Sequence, residues 1–214
     1  MKTKPTAFFM IVALVLAMLN FALPSVASAD NLVGPQLTIQ DVSEQLRLKL
    51  KDKTFIKDFE RITQFVQTVI NPHVDFNRIS ALVLGQNWKN ASSEDRARFT
   101  KEFQTLLIRT YSRAFVEFKD WSIRFMPLTL EPNATKAVIN TEVLQPGIQP
   151  INVSYRMILV NEQWKVYDFM IEGVSLVTNY RSTFDNEIAR TGSLQSVISD
   201  LAKRNAEALA PPKA

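Results

Sequence analysis

From Val153 the chain alternates: Val153, Tyr155, Met157 and Leu159 are apolar on one side, and Asn152, Ser154 and Arg156 are polar on the other. A period of two predicts a strand with one buried face. The polar turn Asn161-Glu162-Gln163 leads into a second strand from Trp164 to about Ile171, and two strands so joined predict an antiparallel hairpin. On this second strand Trp164, Val166 and Met170 fall on one face, with Tyr167, Phe169 and Ile171 on the other. A strand apolar on both faces must be covered on both, by helix or by a bound apolar ligand.

Two earlier stretches, Trp121 to Leu130 and Lys136 to Leu144, also read as strands, with Glu131-Pro132-Asn133 as their turn. The loop Pro146-Gly147-Ile148-Gln149-Pro150 connects them to the Val153 strand. The result is four consecutive strands, most simply an antiparallel meander. Around it the period is helical. Thr38 to Asn71 carries Val42, Leu46 and Leu50, then Phe55, Phe59, Ile62, Phe65, Val66, Val69 and Ile70, a pair of amphipathic helices ended by Asn71-Pro72.

Asp75 caps a short helix with Ile79, Leu82, Val83 and Leu84 that Gly85 stops, and Ser92 or Ser93 opens a longer one. Its stripe is Phe99, Phe103, Leu106, Leu107, Tyr111, Ala114, Phe115 and Phe118, a heavy aromatic load on one face. That face suits either a core or the wall of an apolar cavity. Gly173 breaks the last strand and a helix follows through Leu176, Val177, Tyr180, Phe184 and Ile188. Thr191-Gly192 closes it, Ser193 caps a final helix with Leu194, Val197, Ile198 and Leu201, and Ala210 to Ala214 is a frayed tail.

The N-terminus sets the compartment. Lys2 and Lys4 precede an uncharged, mostly apolar run from Ala7 to Leu23, Pro24 breaks it, and Ala27-Ser28-Ala29 supplies the small residues of a cleavage site. Residues 1–29 therefore read as a secretory signal peptide and 30–214 as a single domain. Lys2 and Lys4 account for two of the four net positive charges, so the exported chain is nearly neutral. No basic stripe suggests nucleic acid. With no cysteine, thiol catalysis, thiolate metal sites, disulfides and Cys-linked lipid anchors are all excluded.

Catalytic motifs are equally scarce. The single histidine, His73, sits beside a proline at a helix end, and five glycines form neither a P-loop nor a dinucleotide fingerprint. Asp168 and Glu172 are four apart on a strand, the spacing of an acid/base pair, but a hydrogen-bonded Asp168 with Glu172 in solvent or capping the next turn is the simpler reading. The residues thus describe an exported, cysteine-free, aromatic-rich α+β domain with surplus apolar surface, whose natural use is a binding cavity. It is read as neither an enzyme nor the holder of a metal or cofactor.

Val83-Leu84-Gly85 followed by Trp88 and Ala91, the Phe99/Phe103/Leu107/Tyr111 stripe, Trp164-Lys165-Val166-Tyr167-Asp168, Glu172-Gly173-Val174-Ser175 and Asn179-Tyr180-Arg181 together closely resemble the MlaC family. These are periplasmic phospholipid-binding components of the Mla system, also called toluene-tolerance or ABC-transporter auxiliary proteins. The resemblance covers nearly all of the exported chain, with Asn161-Glu162-Gln163 replacing a turn that usually holds glycine. It implies a four-stranded antiparallel sheet wrapped by helices, with acyl chains in an apolar lipid pocket between them. It further implies a monomeric periplasmic carrier shuttling a glycerophospholipid between an outer-membrane lipoprotein–porin complex and an inner-membrane ABC transporter with an MCE-domain subunit. An adaptor that binds only protein partners is the alternative.

Nine wall residues are expected. Leu82, Trp88 and Val174 rest on their positions in the family pattern, and Phe103, Tyr111, Tyr155, Tyr167, Ile171 and Tyr180 are aromatic or strand residues chosen by their facing. Gln149 and Arg181 are candidates for the headgroup, although backbone N–H groups hold phosphate as readily as an arginine.

Overall fold

The computed structural model describes residues 32–117 and 120–209, without the side chains of 113–117. The stretch read as a signal peptide, 1–29, the tail from Ala210, Phe118, and the side chains of Ala114 and Phe115 of the aromatic stripe lie outside what is described.

Helices α1 (Gly34–Leu50) and α2 (Phe59–Ile70) come first, joined through a 3-10 turn at Phe55–Lys57. Pro35 sits in the first turn of α1, where a missing N–H costs nothing. Asp58 caps α2 by accepting from Arg61 N–H at 3.0 Å. After a 3-10 turn at Asn71–His73 come α3 (Phe76–Leu84), α4 (Gln86–Asn90) and the long α5 (Ser93–Glu117). Asp75 caps α3 through Arg78 N–H at 2.9 Å, and Gly85 ends it at φ 53°, a conformation open to glycine. Ser92 Oγ accepts from Asp95 N–H at 3.0 Å and opens α5.

The sheet follows in chain order: β1 (Ser122–Phe125), β2 (Lys136–Leu144), β3 (Ile151–Val160), β4 (Gln163–Ile171) and β5 (Val174–Ser175), each antiparallel to the last. The meander is as expected, but it has five strands rather than four. Glu172 and Gly173 both take positive φ, 48° and 78°, so the chain reverses in two residues and Val174-Ser175 pairs back on Met170-Ile171. The glycine read as a strand terminator is half of a hairpin turn. Asn161 and Glu162, at φ 49° and 64°, make the β3–β4 turn in the same way.

β1 is also shorter than predicted. Met126 N–H makes its last bond to Asn140 O at 3.0 Å, and Gln36 Nε2 of α1 donates to Met126 O at 3.0 Å. Pro127 has no N–H to continue the ladder. Helices α6 (Leu176–Thr191) and α7 (Leu194–Leu209) complete the chain, separated by Gly192 at φ 79°.

The largest correction concerns β4. Met157 pairs with Val166, but Arg156 pairs with Asp168, so Tyr167 is the extra residue of a β-bulge. The bulge resets the alternation. Trp164 and Val166, opposite Leu159 and Met157, share a face with Phe169 and Ile171, opposite Tyr155 and Val153. β4 is therefore apolar mainly on one face. That face meets α1 in a cluster of Ile39, Ile139, Met157 and Val166. The opposite face presents exposed Asn140, Asn152 and Arg156, with Ser154 Oγ donating to Asn140 Oδ1 at 2.8 Å. Asp168, opposite Arg156, is the buried exception on that face, held by the start of the helix after β5.

Candidate functional site

The helical layer has its own core. Ile79 and Val83 of α3, Phe99, Phe103 and Leu107 of α5, Leu176, Val177 and Phe184 of α6 and four residues of α7 form one buried cluster. A second lies between α1, α2 and α5, around Leu46, Phe55, Ile62 and Val66. The sheet cluster is the third, and partly buried Val74 and Phe169 pack against both it and the helical cluster. The seam between helices and sheet is therefore bridged by half-buried side chains.

Five of the nine expected wall residues gather in the helical cluster. Phe103 is buried, and Leu82, Trp88, Tyr111 and Tyr180 are partly buried against the same cluster. The Phe103 and Tyr180 rings meet edge to face at 5.0 Å. Tyr155 lies on the sheet side, paired across strands with Phe169 and Ile139. Tyr111 and Phe169 meet edge to face at 5.6 Å, so the chain Tyr155–Phe169–Tyr111 crosses the seam. Phe169 is the residue that sequence reasoning missed. Its signal was present, because it alternates with Tyr167 and Ile171, but the hidden bulge kept it from being matched with Val166.

The other expected residues stand elsewhere. Tyr167 occupies the bulge and joins none of the three clusters. Ile171 and Val174 flank the β4–β5 turn as a pair, exposed at 37% and 63%, so they form a surface tip. Gln149 is exposed in the β2–β3 loop at the same end of the sheet, where Asn152 N–H and the Glu172 carboxylate join β3 to the turn. Arg181, on α6, is spoken for: Nε donates to Leu82 O at 2.8 Å and Nη2 donates to the same oxygen. The guanidinium thus closes the C-terminal end of α3 beside Gly85, where a cation complements the helix dipole.

The electrostatics of the seam are those of an apolar place. Burial pushes the Tyr111 and Tyr155 phenols up to about 12, and burial also raises Tyr180. Asp168 is buried, yet its acceptors are used. Ser175 Oγ donates to Oδ2 at 2.8 Å, Val177 N–H donates to Oδ1 at 3.1 Å, and Arg156 stands at 3.6 Å. It holds the start of α6 against β4. Glu172 faces Asn152, so the two carboxylates do not converge on one reacting centre. No group of His, Asp and Glu among the described residues is arranged to hold a metal.

The seam is closed by its own side chains. The apolar pocket implied by the resemblance is not an open cavity among the described residues. Two surface clefts lie between α1 and β1 and around Phe59, Arg109, Thr110 and Ala208, and none of the nine wall residues lines either.

Residues 40–203 match the model of the MlaC protein family. A Haemophilus influenzae protein named intermembrane phospholipid transport system binding protein MlaC is 24% identical over 149 residues, covering 67% of this chain and 70% of that one. The Pseudomonas putida toluene tolerance protein ttg2D is 22% identical over 126 residues, 58% of each chain. A phospholipid-binding protein from Ralstonia solanacearum, solved in complex with a phospholipid, superposes with a TM-score of 0.76 at 26% identity, covering 83% of this chain and 100% of that one.

Proposed function

The chain belongs to the MlaC family, and from that premise we propose that it is a periplasmic phospholipid carrier, monomeric and without cofactor or enzymatic activity. It binds a glycerophospholipid by the acyl chains. It moves the lipid between an outer-membrane lipoprotein–porin complex and an inner-membrane ABC transporter with an MCE-domain subunit, and so maintains outer-membrane lipid asymmetry.

The observation that carries this reading is the helix–sheet seam, where Tyr111 of the helical cluster meets Phe169 of the sheet, with Tyr155 beside it. Support also comes from the fold shared with a protein solved with a phospholipid. The energetics require such a lining. Each buried methylene is worth about 0.8 kcal/mol, so two chains of about fifteen carbons represent about 24 kcal/mol of contact to be replaced on leaving a bilayer. Acyl chains would enter by parting the seam and displacing the Tyr111–Phe169 contact, and an aromatic pair contributes only about 0.5–1.5 kcal/mol beyond its area. Ile171, Val174 and Gln149, together at one end of the sheet, would form the mouth.

One observation favours a second reading. The seam is filled, as a periplasmic adaptor that binds only proteins would keep it. Native mass spectrometry of the chain purified from a bacterial periplasm, followed by lipid extraction, separates the two. The carrier reading expects a stoichiometric phospholipid. A bare protein that also takes up no lipid from vesicles would leave the adaptor standing.

A further inference from the structure

The two edges of the sheet are finished differently. At the β4 edge, Asp75 N–H donates to Val166 O at 2.9 Å, β5 pairs with Met170 and Ile171, and Asp168 between them is engaged by the start of α6. At the β1 edge no described strand lies beyond Ser122–Phe125. The bond from Met126 N–H to Asn140 O, with the register Arg124↔Glu142 and Ser122↔Leu144, fixes which residues bond to β2. The alternate residues, Ile123 and Phe125, turn their N–H and C=O groups outward. No hydrogen bond among the described residues takes those groups up.

They border a cleft of about 440 Å³ between β1 and α1, with Trp121, Ile123 and Phe125 on the strand wall and Gln40, Ser43 and Glu44 on the helix wall. Free ladder groups beside a groove whose far wall is a helix suit an extended peptide bound as an added strand. We propose that this groove docks an extended, uncharged segment of a partner protein on β1. A strand is the occupant because only another backbone offers donors and acceptors at ladder spacing. The segment is uncharged because the groove's cations are already matched, Arg47 by Glu44 and Arg124 by Glu142. A second copy of this chain does not fit: a four-residue strand flanked by α1 offers far less than the roughly 1,200 Å² that stable complexes bury. The inference stands apart from the lipid reading, since none of the nine wall residues lines this groove.

The test selects random heptapeptides displayed on phage against the intact chain and follows the winners by amide hydrogen exchange. Neutral peptides should emerge that slow exchange at Ile123 and Phe125. Ile123→Pro removes one outward N–H while sparing the ladder to β2, and should weaken binding about tenfold. Ser43→Trp fills the groove from the helix wall without touching β1, and should block binding while the melting temperature is unchanged; it decides the matter if Ile123→Pro disturbs the fold. A library that yields no binder, or peptides that bind both variants undiminished, overturns the proposal. So does protection of the two amides in the free chain that is lost on dilution or on removal of the residues before Leu32, because the occupant is then a second copy or the chain's own N-terminal segment.

Discussion

The aromatic core of the helical layer and the seam between that layer and the sheet use the same residue types, yet they are packed very differently. In the core, Phe184 meets Phe99 at 5.1 Å, Phe103 at 5.4 Å and Tyr180 at 6.0 Å, and Phe99 stacks on Phe103 at 5.5 Å. At the seam, Tyr111 and Phe169 make a ring contact between helix and sheet, and both are only partly buried. A ring held by several rings is costly to move. On the carrier proposal, a ring held by one gives way to an acyl chain, so the core keeps the helices together while the seam yields.

Truncation sets the two regions furthest apart. Phe184→Ala should cost about 3–5 kcal/mol of stability in denaturant unfolding, as expected for a buried phenylalanine. Phe169→Ala should cost less than half as much and change lipid retention measured by native mass spectrometry. Equal stability losses, with lipid retention unaffected, would remove the distinction between core and seam.

Asp168 pins one end of the seam by joining β4 to α6. Asp168→Ala leaves Ser175 Oγ and Val177 N–H without their acceptor and should cost about 1–3 kcal/mol. Hydrogen exchange should rise first in the opening turn of α6. Exchange rising uniformly through the molecule would mean that the pin is not local.

Alkaline pH tests the seam by charge. The folded-state phenols of Tyr111 and Tyr155 lie near 12, above the ordinary value of 10.0, so burial favours their neutral form. Their contribution to stability is complete below pH 10 and is lost as pH rises toward 12. Tyrosinate absorbance should show these phenols ionising late, and together with loss of Tyr111–Phe169 packing. Ionisation at the ordinary value in a still-folded chain would show that the seam is wet.

Two smaller changes sharpen the picture from outside. Glu162→Gly relieves a left-handed φ of 64° in the β3–β4 turn and should raise stability by up to about 1 kcal/mol without altering lipid retention. Val174→Glu, at an exposed hairpin tip, should shift stability by less than about 0.5 kcal/mol yet abolish lipid retention. A variant that still holds lipid would take Val174 out of the mouth.

Much of the architecture was legible in the residues. Asp75, Gly85, Ser92, Gly192 and Ser193 announced helix ends because capping is local chemistry, satisfied within a few residues. The order of the meander followed from short polar connections. The helix stripes gave the core, because a side chain on a regular helix faces where its period puts it. Phe103, Tyr111 and Tyr180 were drawn to one cluster for the same reason, whereas Leu82 and Trp88 were placed there by the family pattern.

What the sequence by itself determined, then, is everything that depends on near neighbours: which segments are helix, which are strand, and where most of them end. Only the tertiary structure decided how β4 faces. One extra residue at Tyr167 shifts the strand by half a period, moving Trp164 and Val166 to the side of Phe169 and turning a strand read as apolar on both faces into one whose apolar residues fall mainly on one face. The choice to bulge there is made by pairing with β3, by Val74 and by the start of α6, none of which is encoded within the strand. The same holds for the Tyr111–Phe169 contact, which exists only because α5 and β4 are brought together by everything else that packs.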